Sequence, residues 1–205
     1  MNEIDFSAFL VSRVCHDLVG PLGAVVNGLE VLEDERDAMM RAEALKIVSS
    51  SAEQALARLQ FMRIAFGAAG SAGAELDLGE VGRLVQGLVA GTKTEIRWNA
   101  APVHWPKDWA KLLMNAAVVV ADCLPRGGVV TVQTGGDAAA PSFRVEGTGT
   151  HIRVSEEMEK AVRGEASTAV DARGIQPFLA HKLARALNAG LTLTAHEGGV
   201  AIAAG

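Results

Sequence analysis

The sequence predicts an α+β protein. An N-terminal helical hairpin is expected to pair with a second copy as a dimeric four-helix bundle, and an α/β sandwich follows it. Three observations carry this. The first third repeats apolar residues at helical spacing. Gly67 to Gly73 (GAAGSAG) then interrupts the pattern with small residues and reads as a linker. Beyond it, helical segments interleave with short β-branched runs, the pattern of an α+β sandwich. The expected units are residues 1–67 and 74–205.

In the first unit, Val14, Leu18, Val25, Leu29 and Leu32 recur at spacings of three, four and seven, and Ser7 either caps the first turn or lies within it. Glu33 to Asp37 is a charged break. Ala42, Leu45, Val48, Ala52, Leu56, Leu59, Met62 and Phe66 follow as a near-heptad seam. A short connection makes the two helices antiparallel. Two helices cannot enclose a core, and apolar burial is worth about 25 cal/mol per Å², so a homodimer is expected. The competing reading packs the stripe against the second half of the same chain.

In the second unit, Leu78 to Val89 reads as a helix and Thr94 to Trp98 as a strand. Lys107 to Leu124 reads as a helix bracketed by Pro106 and Pro125. Val129 to Thr134 and Ser142 to Val145 read as strands, and Ser155 to Val162 and Gln176 to Ala189 as helices. Leu191 to His196 and Val200 to Ala203 form a closing hairpin around Gly198 and Gly199. With 4% aromatic residues and no tyrosine, the cores must be built from Leu, Val, Ala and Ile, with Trp98, Trp105 and Trp109 filling the second.

Composition narrows the function. The chain has 205 residues, 49% hydrophobic and 21% charged, as a globular protein does. A net charge of −5 gives no basic field for nucleic acid. Cys15 and Cys123 lack the number and spacing of a disulfide framework or zinc site, and Cys15 reads as a small packed side chain. No charged-then-apolar segment opens the chain. The longest uninterrupted apolar stretch, Ala116 to Ala121, is far below the roughly 20 residues that cross a bilayer. The expectation is a soluble cytoplasmic protein with no membrane segment.

The chemistry concentrates in Cys15-His16-Asp17-Leu18-Val19-Gly20-Pro21-Leu22. His16 lies two residues from both Val14 and Leu18, about 200° around the helix, so it points away from that seam. An exposed imidazole can accept phosphate on one nitrogen and hydrogen-bond through the other. Asp17 is placed to hold a tautomer or exchange a proton. Pro21 lacks an N–H and clashes with the carbonyl of residue 17, at a cost of roughly 3 kcal/mol in a helix interior. Such a residue one turn past the histidine suggests a reason other than stability. Val19, Gly20, Gly23 and Asn27 share the face of His16, forming an uncharged stripe of little bulk that suits either a docking helix or a tight helix crossing.

CHDLVGPL resembles the phospho-acceptor box of sensor histidine kinases, with an acidic residue after the histidine and proline five positions on. The longer run CHDLVGPLGAVVNGLEVLED resembles the alphaproteobacterial histidine phosphotransferases of the ChpT type, and the likeness extends over nearly the whole chain. In that family a dimerising hairpin precedes a domain shaped like a kinase ATP-binding domain that has lost its nucleotide. LLMNAAVVVADCLPRGGVVTV resembles the Asn-bearing helix, turn and strand of that domain, with Asn115 where a kinase Asn holds Mg²⁺. The remaining parts depart from the kinase pattern. Val145 stands where the Asp of Asp-x-Gly-x-Gly belongs, ahead of Gly147 and Gly149. The phosphate loop is reduced to Ala172-Arg173-Gly174-Ile175-Gln176-Pro177-Phe178, in which Pro177 removes a donor and Gln176 and Phe178 add bulk.

The resemblance implies a phosphotransferase without ATP-dependent kinase activity and with no cofactor of its own. Phosphate would arrive from the receiver domain of a hybrid histidine kinase, which brings its own Mg²⁺, and leave to response regulators of the cell cycle. His16 and Asp17 are the expected catalytic pair, with Val19, Gly20, Gly23, Asn27 and Arg63 as docking residues. Arg58 and Arg63 both return along the second helix toward the level of His16, and for both a solvated charge is the alternative. His104, His151, His181 and His196 show no metal-ligand spacing. The face of His181, Lys182 and Arg185 is either solvated or attractive to an acidic receiver. The two rival functions are a divergent ATP-dependent histidine kinase core and a scaffold that docks receivers without chemistry.

Overall fold

The computed structural model describes residues 2–67, 73–165 and 174–205. Residues 68–72 of the expected linker and Ala172 and Arg173 of the expected phosphate loop lie outside them. Helix α1 (Glu3–Asp34) begins at Asn2, whose side chain accepts from the Asp5 N–H, so Ser7 lies inside the first turns rather than capping them. Glu35 to Asp37 turn the chain. Helix α2 (Ala38–Ala65) starts at Asp37, which accepts from the Met39 and Met40 N–H groups. The two helices pack as an antiparallel pair.

Small residues set their spacing. A Cβ on Gly28 would come within 2.6 Å of Val48 Cγ2, so α1 and α2 touch there because no side chain intervenes. The residues of α2 that are buried are Ala44, Ser51, Ala55, Phe61, Met62 and Ala65. This differs from the heptad read from the sequence: Leu45, Leu56 and Leu59 remain half exposed, as do Leu22, Val26 and Leu29 on α1. The stripe is a second face, beside the one that joins the helices. The end of α2 enters the core of the second half through Phe61, Met62 and Ala65, and the first half of α1 also touches that half, at α6 and at the end of α4.

Pro21 sits buried within α1, which continues unbroken past it. Its missing N–H deprives the Asp17 carbonyl of its helical donor. Arg58 of α2 supplies a replacement, its guanidinium donating to that oxygen at 2.6 Å. By length and composition α1 is apolar enough to cross a membrane, with 32 residues and a mean hydropathy of 1.4 over its most apolar window. The search for an uninterrupted apolar run overlooked this, because the apolar residues of α1 are spread among Gly, Asn and single charges.

The second half contains β1 (Glu75–Asp77), α3 (Leu78–Val89), β2 (Thr94–Asn99), β3 (His104–Pro106) and α4 (Lys107–Asp122). It continues with β4 (Gly128–Gly135), β5 (Ser142–Thr148), α5 (Glu156–Arg163), α6 (Ile175–Ala186), β6 (Leu191–His196) and β7 (Gly199–Ala204). The two three-residue strands β1 and β3 pair with each other and are too short for a periodicity argument. The main sheet runs β2-β4-β5-β7-β6, antiparallel except for β2 with β4. The turn into β4 requires Gly127, at φ +85°, where a Cβ would fall 2.2 Å from the Lys93 carbonyl oxygen. The central helix α4 is buried over Ala110 to Val120 and fixes the layers around it. Trp105 is fully buried and meets Trp109 edge to face, and Trp109 meets Phe143.

Two predictions follow from this packing. Removing the Arg58 donor leaves a part-buried carbonyl unpaired, so Arg58→Met should lower unfolding free energy by about 1–3 kcal/mol. Pro21→Ala restores an N–H to that carbonyl, so the loss should shrink sharply in the double variant. Urea unfolding of the four-member cycle measures it, and additive losses would mean that the two residues are not coupled.

The second prediction concerns Cys123, whose thiol is pushed up to about 12 from 9.0 by burial and by the Asp122 charge. Between pH 9 and 12 the unfolded chain has lost a proton that the folded chain keeps. Its contribution is full below pH 9 and falls as pH rises, by up to about 1.4 kcal/mol per unit. Lys111, lowered chiefly by burial, acts in the opposite sense just below its usual value, and no tyrosine titrates in this range. The alkaline slope of the urea midpoint should flatten in Cys123→Ala. An unchanged slope would assign the effect to other groups.

Candidate functional site

α1 carries His16 on a turn between buried Arg13 and the part-buried Asp17 and Leu18, with Cys15 exposed beside it. The His16 side chain is 59% exposed, and Nδ1 lies 2.9 Å from Asp17 Oδ1. An ionised carboxylate only accepts, so Nδ1 carries the hydrogen in this contact and Nε2 keeps its lone pair. Asp17 is far less exposed, at 17%, because its other oxygen meets Arg13 Nε at 2.8 Å. Arg13 is buried one turn earlier on α1, and its Nη2 lies 3.5 Å from Asp122 Oδ2 at the end of α4. Arg58 closes the group from α2 through the Asp17 carbonyl. A cavity of about 340 Å³ lies behind these residues, between α2 and the second half, with Gln176 and Lys93 also on its wall.

Val19, Gly20, Gly23 and Asn27 are all exposed on the His16 side. A Cβ built on Gly20 or Gly23 meets nothing within 4 Å, so none of the described residues packs against the stripe at these two glycines. Arg63 does not join the group. It projects about 140° around α2 from Arg58, in line with Leu45, Leu56 and Leu59, and is exposed with no hydrogen bond or ion pair among the described residues. Of the two arginines weighed from the sequence, Arg58 is the one that reaches α1.

Arg13 and Asp122 were missed. The four-residue spacing of Arg13 and Asp17 was a legible ion-pair signal, whereas the approach of Asp122 depends on tertiary packing. Two of the other histidines have polar partners: His181 Nδ1 donates to the Val162 carbonyl at 2.9 Å, and His196 lies 3.5 Å from Glu146. Lys182 of the basic face sits over the Phe6 ring at 4.8 Å. Among the described residues no cluster of three or more His, Cys, Asp or Glu could hold a metal.

Asn115 is fully buried, and its Nδ2 donates to the Ala65 carbonyl at the end of α2 and to the Lys111 carbonyl. Gly147 is kept for packing, since a Cβ there would fall 2.6 Å from Val120 Cγ1, and Val145 is buried in the sheet. At the start of α6, the Phe178 ring meets Phe6 of α1 at 6.1 Å between centroids.

The family model described as histidine phosphotransferase C-terminal domain matches residues 78–199. Protein phosphotransferase ChpT of Brucella abortus (strain 2308) is 37% identical over 197 residues, 96% of this chain and 92% of that protein. A solved bacterial phosphotransferase superposes with a TM-score of 0.89 at 33% identity, over 100% of this chain and 98% of the other. Identity at this level across both halves, with the hairpin included, makes this chain a member of the histidine phosphotransferase family.

Proposed function

We propose that this chain relays a phosphoryl group between receiver domains through His16. The observation that carries the reading is an exposed imidazole whose Nδ1–H is held by Asp17, which leaves Nε2 as the nucleophile. Nε2 attacks the phosphorus of a receiver's aspartyl phosphate. The N–P bond forms, the P–O bond breaks, and the receiver carboxylate departs as an anion. The ring carries positive charge while both nitrogens are substituted, and the Asp17 carboxylate faces that charge. In the second half-reaction a carboxylate of another receiver attacks the phosphorus and Nε2 leaves as a neutral imidazole. This is covalent catalysis divided between two proteins, with in-line positioning as the main contribution.

The donor in this reading is the receiver of a hybrid histidine kinase, and the acceptors are response regulators, including those of the cell cycle. Mg²⁺ comes with the receiver. The small, open stripe of Val19, Gly20, Gly23 and Asn27 suits the close approach of a receiver helix. ATP-dependent kinase activity is disfavoured because Asn115 is engaged by α2, Gly147 by α4, and the start of α6 is covered by Phe6. The protein in this reading works in the cytoplasm, away from nucleic acid and membrane. Residues 1–67 supply dimerisation and transfer, and residues 74–205 form the degenerate ATP-binding-like domain.

The half-exposed stripe of Leu22, Val26 and Leu29 with Leu45, Leu56 and Leu59 supports a homodimer through a four-helix bundle. Arg63, at the end of the stripe on α2, belongs in this reading to the surface a receiver meets once the bundle is paired.

Incubation with labelled ATP alone, and separately with a labelled phospho-receiver, tests the transfer. Acid-labile label is expected only from the receiver and not in His16→Ala. Label taken from ATP alone would make the chain a kinase. For the dimer, sedimentation of Leu22→Glu combined with Leu56→Glu should give half the wild-type mass, and a monomeric wild type would refute the bundle.

A further inference from the structure

Transfer chemistry accounts for His16 and Asp17 but not for a buried arginine beside them that reaches across to α4. We propose that Arg13 is a positioning residue for His16, and that Asp122 holds Arg13 in turn, so that the second half of the chain sets the geometry of transfer. The inference rests on the phosphotransfer reading and extends it to residues on both sides of the interface.

The two oxygens of Asp17 have separate partners. Oδ1 meets the imidazole at 2.9 Å and Oδ2 meets Arg13 Nε at 2.8 Å. A carboxylate held at one oxygen can turn about its own bond, while one held at both has a fixed plane, and the ring it orients is fixed with it. The Arg13 and Asp17 side chains are only 10% and 17% exposed, so this charge-assisted bond is little screened by solvent. Arg13 could reach Asp17 in several rotamers. Asp122, with Oδ2 at 3.5 Å from Nη2, selects one of them by engaging a second nitrogen of the planar guanidinium. Asp122 ends α4, whose body is the buried centre of the second half, so the anchor moves only if that half moves. Arg58 meanwhile fixes the backbone of Asp17 itself.

The alternative is that Arg13 and Asp122 merely staple α1 to α4. Imidazole nitrogen spectra separate the two, because a staple has no reason to change the ring tautomer. The full-length protein, labelled with ¹⁵N-histidine, is compared as wild type, Arg13→Ala, Arg13→Lys and Asp122→Asn. Single-turnover transfer from a phosphorylated receiver domain is measured on the same samples. The wild type should hold His16 as the Nδ1–H tautomer. In Arg13→Ala the ring should become a mixture with the Nε2–H form. Its transfer rate should fall about 100-fold, the scale of a misplaced reacting group, with the half-saturating receiver concentration unchanged. Arg13→Lys, which lacks the fork, should recover little of the rate, and Asp122→Asn should lie between.

A wild-type tautomer and rate in the folded variants would overturn the proposal, as would a lowered melting temperature with an unchanged tautomer. If Arg13→Ala does not fold, Asp122→Asn decides by the same criteria, since its side chain is 42% exposed. A wild type that accepts no phosphate from the receiver would refute phosphotransfer itself. The tautomer comparison needs no donor and would still say whether Arg13 positions the ring.

Discussion

The hydrogen bond from the Arg58 guanidinium to the Asp17 carbonyl fills the gap that Pro21 opens in α1. A proline in the middle of a long helix removes one backbone donor and crowds the carbonyl four residues earlier, a penalty of about 3 kcal/mol when nothing compensates. Here the freed carbonyl belongs to the residue that orients His16. A cation from the neighbouring helix takes it, so the defect becomes the point at which α2 grips α1 beside His16. An uninterrupted helix would give the Asp17 carbonyl to its own backbone and leave Arg58 with no reason to sit there.

Much of the second half serves the same few residues. Asn115, buried in α4, donates to the Ala65 carbonyl at the end of α2. The start of α6 receives the first turns of α1 through Phe6 and Phe178. Each is a contact among α1, α2 and the helical layer of the second half. In this chain those positions hold the hairpin. Asp122 lies where this support comes within reach of Arg13.

How far the sequence revealed this depended on the range of each interaction. The helices and the five long strands were legible because their periodicity is local, and so was the exposure of His16, which is fixed by its angle from Val14 and Leu18. The strands β1 and β3 were not, since three residues carry no period and each is held only by the other. The seam of α2 was misread for a physical reason. Its leucines Leu45, Leu56 and Leu59 face outward, while the small residues Ala44, Ser51 and Ala55 are the buried ones along the same stretch. Close helix packing selects small residues, and a search for bulk finds the other face. From the sequence Arg63 was singled out as the docking arginine, although Arg58 lies five residues earlier on the same helix. Only the helix rotation, about 140° over that interval, assigns one to the Asp17 carbonyl and the other to the apolar stripe.

That rotation also explains how one helix serves three partners without conflict. Taking 100° per residue, Pro21 and Gly28 fall on the side of α1 that meets α2. Val11, Leu22 and Leu29 fall on a second side, about 120–140° from His16. His16, Gly20, Gly23 and Asn27 share the third. The first face is buried within the chain and the second is half exposed, while the third is open at two glycines where an added Cβ would meet none of the described residues within 4 Å. A bundle formed through the second face would leave the third uncovered, so dimerisation and access to the nucleophile do not compete for surface. Asp17 lies between the first face and the third, which lets a group anchored in the packed interior reach the edge of the ring while the opposite nitrogen stays open to a partner.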